Sequence, residues 1–398
     1  MSHPTVTSPS DTRRGRPALA AALAAALAVA VLGGMALAAP ASAGTVRKSG
    51  SDDAVQSSLD KVVRGGELPG ALASVRDADG RVRDYTAGVG DLKTKAEVPV
   101  DGQVRIASNT KMFTAVVALQ LAGEGKIKLD APVEKYLPKL IRGKGNDGRE
   151  ITTRQLLQHT SGLHSYTAGM PSIFKIQHRY TEPHALLDTG LAHKPDFAPG
   201  KGWAYSNTGY VALGLLIQKV TGRPIGEEIT ERIIKPAGLR GTYWPGIGEE
   251  GIRGPHPSGY AAKKPGKQAA ESLADVTRLD PSWGWAAGQL IGTPSDLNLF
   301  LAALMDGKLL KPAQLKQMKD TMKAPGFPAG WTYGLGLLKI KLSCGGYAYG
   351  HGGDIDGYET RTGITEDGRA ATIAVTALPT TQAAADKVNK ALDTALCS

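Results

Sequence analysis

Residues 108 to 122 read Ser108-Asn109-Thr110-Lys111-Met112-Phe113-Thr114-Ala115-Val116-Val117-Ala118-Leu119-Gln120-Leu121-Ala122. From Met112 onward this is a helix that is apolar nearly all round, and such a helix is buried on every side. A lysine opening it is costly unless it has partners. Ser108 as an ordinary N-cap accounts for the serine but not for Lys111. Three residues apart at a helix start, the hydroxyl and the amine share one face of the first turn. There the helix N-terminus favours developing negative charge. Lys111 can take the Ser108 proton only if burial and neighbours lower its pKa. Spacing alone does not single out this pair, because Ser58–Lys61 and Ser172–Lys175 repeat it. Context does: Ser58 lies in an exposed-looking polar helix and Ser172 in a loop after Pro171.

Two later clusters could supply the partners. Tyr205-Ser206-Asn207 precedes a helix beginning near Gly209, and a phenol and an amide two residues apart can point the same way. The phenol offers a proton shuttle and the amide a donor and an acceptor; the same tripeptide is also common turn chemistry. His351-Gly352-Gly353 follows Tyr347-Ala348-Tyr349. Two glycines on a strand edge let a ligand backbone approach closely, and His351 beside them can donate a proton or a hydrogen bond.

Familiar alternatives are absent. The chain has no GxSxG, no HExxH and no phosphate loop ending in GK[ST]. None of its eight His shows a convincing two-ligand spacing, and forcing His351, Asp354 and Asp356 into a metal site has little behind it. The reading therefore assigns no metal and no cofactor.

Outward from these motifs, 41% apolar and 21% charged residues are the composition of a folded soluble protein. Arg13, Arg14 and Arg16 precede an Ala/Leu/Val run from Ala18, and Ala41-Ser42-Ala43 follows as a small-residue cleavage site. These are the parts of a secretory signal, with residues 1–43 removed; an uncleaved anchor is the alternative, and Arg13-Arg14 leaves Sec and twin-arginine export both open. Removing three Arg and one Asp leaves 355 residues of net charge +8. Such a chain is drawn to anionic surfaces, a cell wall among them. Basic and acidic residues alternate and no basic run is interleaved with aromatics, so nucleic acid is not an expected partner. Cys344 and Cys397 are the only cysteines. In an oxidising compartment pairing is the default, with two buried free thiols as the alternative.

Residues 44–50 read as a linker and Asp52 to Val63 as an amphipathic helix stopped by Gly65-Gly66. Ala71 to Val75 and Val82 to Ala87 flank Asp79-Gly80, a hairpin signal. Strands reappear at Gly334 to Leu342, Gly346 to Tyr349 and Ala370 to Ala377, before a helix from about Thr381 to Leu396. An α/β (α+β) part over about 51–128 and 281–398 is thus expected around a mainly helical part over about 129–280. Helical periodicity marks Thr153 to Gln158, Gly209 to Val220 and Glu227 to Pro236, and Gly241 to Lys267 reads as a long loop.

In this order, Ser-Asn-Thr-Lys, Tyr-Ser-Asn and His-Gly-Gly resemble the serine penicillin-recognising hydrolases. The likeness is to their class C β-lactamase-like branch, and within it to secreted actinobacterial D-alanyl-D-alanine carboxypeptidases. Leu157-Gln158-His159-Thr160-Ser161-Gly162-Leu163, Trp283-Gly284-Trp285-Ala286-Ala287-Gly288 and Tyr333-Gly334-Leu335-Gly336-Leu337 extend it. It spans about Leu68 to Cys397. The resemblance implies a five-stranded antiparallel sheet flanked by helices, an all-helical subdomain, and an active site between them. It implies Ser108 as nucleophile, with Lys111 and Tyr205 sharing acid/base work in an unsettled division. Asn207 would hold Lys111 and the acyl-side amide. Backbone N–H groups of Ser108 and Asp354 would form an oxyanion hole. His351 would keep the cleft polar and carry charge only in acid, Trp283 would wall the substrate side, Gly352 and Gly353 would line it, and Cys344 and Cys397 look like that group's disulfide.

One departure bears on substrate. Gly352 stands where similar carboxypeptidases carry a hydroxyl that helps bind the substrate's terminal carboxylate; Lys339 or Lys341 is a candidate substitute. The first functional expectation is a secreted, wall-associated, monomeric D-Ala-D-Ala carboxypeptidase acting on stem peptides and acylated by β-lactams. The second keeps the chemistry for esters or D-amino-acid amides. The third is a non-catalytic wall-binding or β-lactam-sensing domain.

Overall fold

A computed structural model describes residues 50–263 and 272–398; the expected signal, residues 44–49 of the linker, and the end of the Gly241 to Lys267 loop lie outside them. Helix α1 (Gly50–Val63) carries Asp52 and Asp53 in its first turn and Lys61 in its last, the order that suits its dipole. The expected hairpin follows as β1 (Gly70–Arg76) and β2 (Val82–Gly88).

The remaining strands of this sheet come late in the chain. They are β3 (Met322–Lys323), β4 (Thr332–Tyr333), β5 (Leu338–Lys341), β6 (Tyr347–Ile355), β7 (Tyr358–Thr365) and β8 (Ala370–Val375). All are antiparallel in the order β2-β1-β8-β7-β6-β5-β4-β3. The five long strands β2-β1-β8-β7-β6 are the sheet the resemblance implied, and three short ones extend one edge to make eight.

Both faces of the sheet are covered. Along β1, Ala71, Ala73 and Val75 pack with α1 (Val55, Leu59, Val62) and with α6 (Gln382–Cys397; Val388, Ala391, Leu392). Leu72 points the other way, into the cluster that holds Phe300 and Leu301 of α5 (Pro294–Met305). The period-2 alternation of a strand therefore feeds two cores, and each fully buried Leu or Phe contributes about 1.5–3 kcal/mol to them.

Helix α2 (Thr110–Gly123) is buried from Thr110 through Leu119 and again at Leu121, as its sequence requires. Between 129 and 280 lie α3 (Thr153–Gln158), opened by a Thr152/Gln155 capping box, and α4 (Asn207–Thr221), capped by Ser206. Ile225–Ile229 is helical, Thr230–Ile234 is a π turn, and Lys235–Ala237 closes the expected third helix.

Two expectations about strands are corrected. Gly334 to Leu337 is a turn rather than strand: the Gly334 N–H bonds Leu337 O at 2.8 Å, and Gly336 has φ +79°. A side chain at Gly336 would sit 2.5 Å from Ala115 Cβ, so this turn is moulded onto α2. The strand read at Gly346 to Tyr349 runs on to Ile355, and its partner β7 carries no expectation at all.

Candidate active site

Ser108 lies in a 3-10 turn (Ala107–Asn109) that leads into α2. Ala107 holds a left-handed φ of +47°, a conformation costing a non-glycine residue about 1–3 kcal/mol that surrounding contacts must hold in place. Asn109 supplies some of them, donating to Thr360 Oγ1 (2.6 Å) and to Ile106 O (3.0 Å). Lys111, one turn on, is fully buried. Its Nζ donates to Ser108 Oγ at 2.9 Å and to Ala287 O at 2.8 Å. Burial holds this amine well below the usual lysine range, and the charge of Asp354 only partly opposes that.

The segment 285–288 clasps the same helix. Thr114 Oγ1 donates to Ala286 O (2.8 Å), and the Leu290 N–H donates to Thr110 Oγ1 (3.1 Å). Tyr205 comes from the other side, just before the Ser206 cap of α4. Lys111 Nζ sits 4.8 Å from the centroid of its ring. Burial pushes the phenol well above its ordinary value, and a hydrogen bond with Ser108 works in the opposite direction.

The sequence reading gave His159 no role of its own. It ends α3 in the left-handed conformation (φ +63°), and its Nδ1 accepts the Ser206 N–H at 3.0 Å. Its proton is therefore on Nε2, and the ring packs 4.2 Å from Tyr205 and 4.8 Å from Tyr333. Burial keeps it uncharged. His159 thereby fixes the turn that aims Tyr205.

Strand β6 brings the third motif. Beyond Gly350 it has no partner on the β5 side, while β7 pairs with it through Ile355. Residues 351–355 thus have one open edge within an otherwise internal strand. Gly353 allows that edge to reach the serine: a Cβ there would lie 2.2 Å from Ile106 O and 2.8 Å from Asn109 Nδ2. His351 is buried, with Nδ1 donating to Gly352 O (2.5 Å) and Nε2 accepting from Tyr333 Oη (3.0 Å). Burial, then the charge of Lys111, lowers its pKa to about 3. Both ring nitrogens are engaged, so this imidazole is a neutral part of the wall.

A cleft of about 970 Å³ opens over these groups. One flank is aromatic, built from Trp203, Phe327 and Trp331; the other is polar and charged, with Asp354, Arg361 and Asp386. A side cavity of about 40 Å³ adjoins Ser108, lined by Trp283, Asn207 and Asp354. Trp283 thus borders this side cavity rather than the main cleft, and its carbonyl accepts the Tyr166 hydroxyl.

The fold unites Ser108, Lys111, Tyr205, His351, Gly352, Gly353 and Asp354. Asn207 is at the cleft too, but its amide donates to Thr167 Oγ1 (3.1 Å), whereas both Lys111 hydrogen bonds go to Ser108 and Ala287. Ser58–Lys61 lies in α1, and Ser172 precedes a short helix (Ile173–Ile176), neither of them lining this cleft. Lys339 rests on the Tyr347 ring (4.1 Å) and Lys341 against Gly330, so neither replaces the missing hydroxyl of Gly352. Cys344 and Cys397 are joined, tying the turn before β6 to the end of α6.

The family model described as Beta-lactamase matches residues 55–395. A D-stereospecific amidohydrolase from Streptomyces sp. is 40% identical with a TM-score of 0.77, covering 85% of this chain and 98% of its own. The D-amino acid amidase of Ochrobactrum anthropi SV3, solved with L-phenylalanine amide, is 29% identical with a TM-score of 0.78, covering 87% and 98%. Protein flp of Staphylococcus aureus (strain NCTC 8325 / PS 47) is 31% identical over 187 residues, which are 47% of this chain and 37% of that protein. The chain thus matches little more than a third of the length of this curated relative.

Proposed function

The chain belongs to the beta-lactamase family, a family of serine hydrolases, and from that premise we propose that it is an exported enzyme that cleaves amides of D-amino acids through an acyl-enzyme on Ser108. The observation that carries the chemistry is the 2.9 Å bond between Ser108 Oγ and a fully buried lysine amine. An amine depressed by burial is a base; a phenol raised by burial is an acid. Lys111 therefore takes the Ser108 proton as Oγ attacks the carbonyl carbon. Backbone N–H groups of Ser108 and Asp354 receive the oxyanion. When the C–N bond breaks, Tyr205 gives its proton to the leaving nitrogen and is reprotonated from Lys111. Water, deprotonated in turn by the same groups, then releases the acid.

The amide substrate is supported by the likeness to the Streptomyces amidohydrolase and the Ochrobactrum amidase, and by Gly352, which offers no hydroxyl to a terminal carboxylate. The disulfide supports export, and the positive charge suits a cell-wall surroundings. A second reading, D-Ala-D-Ala carboxypeptidase, is favoured by the motif order Ser-Asn-Thr-Lys, Tyr-Ser-Asn, His-Gly-Gly. Steady-state hydrolysis of D- and L-phenylalanine amide, a p-nitrophenyl ester and a diacyl D-Ala-D-Ala peptide tests both. Turnover of the D-amide above its L-isomer, abolished in Ser108→Ala, is expected. Turnover of the diacyl peptide alone would replace this reading with the second, and turnover surviving Ser108→Ala would end both.

A further inference from the structure

Among the described residues, Arg361 is the one arginine lining the cleft. It stands on β7 directly opposite Gly352 of β6. A Cβ at Gly352 would lie 3.0 Å from Arg361 Nη1 and 3.4 Å from its Cζ. The guanidinium therefore spreads across the space that a side chain at 352 would fill. Two residues along the same strand face is Asp354. Arg361 Nη1 donates to Asp354 Oδ1 at 2.6 Å and to Thr360 O at 2.9 Å; Nη2 lies 3.0 Å from Glu359 Oε1, and Nε donates to Asn389 Oδ1 at 3.3 Å.

The two members of this pair differ in exposure. Arg361 is 15% exposed and Asp354 59%, so the side that meets a substrate is the carboxylate. Asp354 alone cancels the guanidinium charge, and Asp386 at the same cleft carries the balance negative; burial raises the Glu359 carboxyl to about 7, so it adds only part of a charge at neutral pH. A substrate carboxylate entering here would have to displace an internal one that already holds a charge-assisted bond.

We infer that Asp354 is a specificity-determining residue: by occupying Arg361 it turns away substrates ending in a free carboxylate and leaves the cleft to neutral-ended amides. This rests on the reading that Ser108 is acylated in this cleft. Removing the carboxylate frees a guanidinium, already held in place by Glu359 and Asn389, for a substrate carboxylate.

The probes are N-acetyl-D-Ala-D-Ala and its C-terminal amide, both scored by initial release of N-acetyl-D-Ala so that only cleavage of the shared internal bond is compared and loss of ammonia from the amide end is not counted. The wild-type ratio of kcat/KM, acid over amide, is expected below one. Asp354→Ala should raise that ratio about tenfold or more, the worth of a charge-assisted bond gained and a repulsion removed. Asp354→Ala combined with Arg361→Ala should lose the gain. An unchanged or lower ratio in Asp354→Ala overturns the inference. Should the variant fail to fold, wild type decides: raising salt from about 50 to about 500 mM screens the repulsion, so the ratio should climb. A falling ratio means that the cleft attracts carboxylates and overturns the inference. A wild type that prefers the acid overturns it while leaving the serine hydrolase intact; one that turns over neither probe nor any D-amide removes the proposed function beneath it.

Discussion

Lowering the pH should cost the fold stability through one buried imidazole, and the amount follows from its surroundings. His351 titrates near 6.5 when unfolded and at about 3 when folded. A folded pKa below the unfolded one means that the unfolded chain takes the proton first. The stability is fully present above pH 6.5, is lost as the pH falls toward 3, and levels off below that. Linkage gives a loss of about 2 kcal/mol by pH 5 and about 3 kcal/mol by pH 4. Many carboxylates and Lys111 titrate as well, so the quantity to measure is a difference. His351→Gln keeps an acceptor for the Tyr333 hydroxyl but cannot take up the proton. Urea unfolding of wild type and His351→Gln at pH 7.5, 5 and 4, with the disulfide intact, should show wild type losing about 2 and then about 3 kcal/mol more than the variant. Parallel pH dependences for the two proteins would mean that the imidazole is not buried and neutral against Gly352 and Tyr333, and the closed wall of the cleft described above would be wrong.

Lys111→Ala should lower the acylation rate by about 10²–10⁴-fold, the worth of a general base, and Lys111→Arg should do no better because a guanidinium stays protonated; stopped-flow release of p-nitrophenol reads both. His159→Ala should reduce kcat about tenfold or more with KM less affected, since a misdirected catalytic group costs rate rather than binding. His159→Asn should recover most of it, because Asn tolerates a left-handed φ and its Oδ1 replaces Nδ1 as acceptor for the Ser206 N–H. Reducing the Cys344–Cys397 bridge frees a loop of 53 residues and should lower unfolding free energy by about 4 kcal/mol, read as a shift of the urea midpoint.

The elements legible in the sequence were those whose physics is local. A uniformly apolar run with one lysine at its head is a buried helix with a burdened amine, and α2 bears this out. Asp79-Gly80 between alternating residues is a hairpin, and β1–β2 is that hairpin. Strand β7 escaped notice although its signal was present: Asp356-Gly357 repeats the Asp-Gly signal, here as a two-residue turn where five residues separate the paired Arg76 and Val82 of the first hairpin. What hid it was Glu359 and Arg361, charged residues that break the apolar pattern. Their burial is tolerated because Arg361 pairs with both Glu359 and Asp354. The turn at Gly334–Leu337 reads as strand locally and is bent by contact with α2, more than 200 residues earlier in the chain.

The same division runs through the site. Ser108 and Lys111 could be coupled from sequence because a helical turn joins them. His351 could be placed at the cleft but not given its role, for that depends on Tyr333 taking one nitrogen and the strand's own carbonyl the other. Gly352 drew attention as a missing hydroxyl. In the fold it is a clearance, because the Arg361 guanidinium lies where a side chain would be, and that arginine comes from a neighbouring strand whose register no local pattern specifies. An absence at one position and a charge nine residues later are one feature seen twice. The sequence assigns Asp354, whose carboxylate completes it, a role through its backbone N–H only. A strand carrying the oxyanion N–H on its edge and a charge-setting side chain on its face can change leaving-group preference by one substitution without moving the nucleophile, and that separation of chemistry from selectivity is what the Asp354→Ala ratio measures.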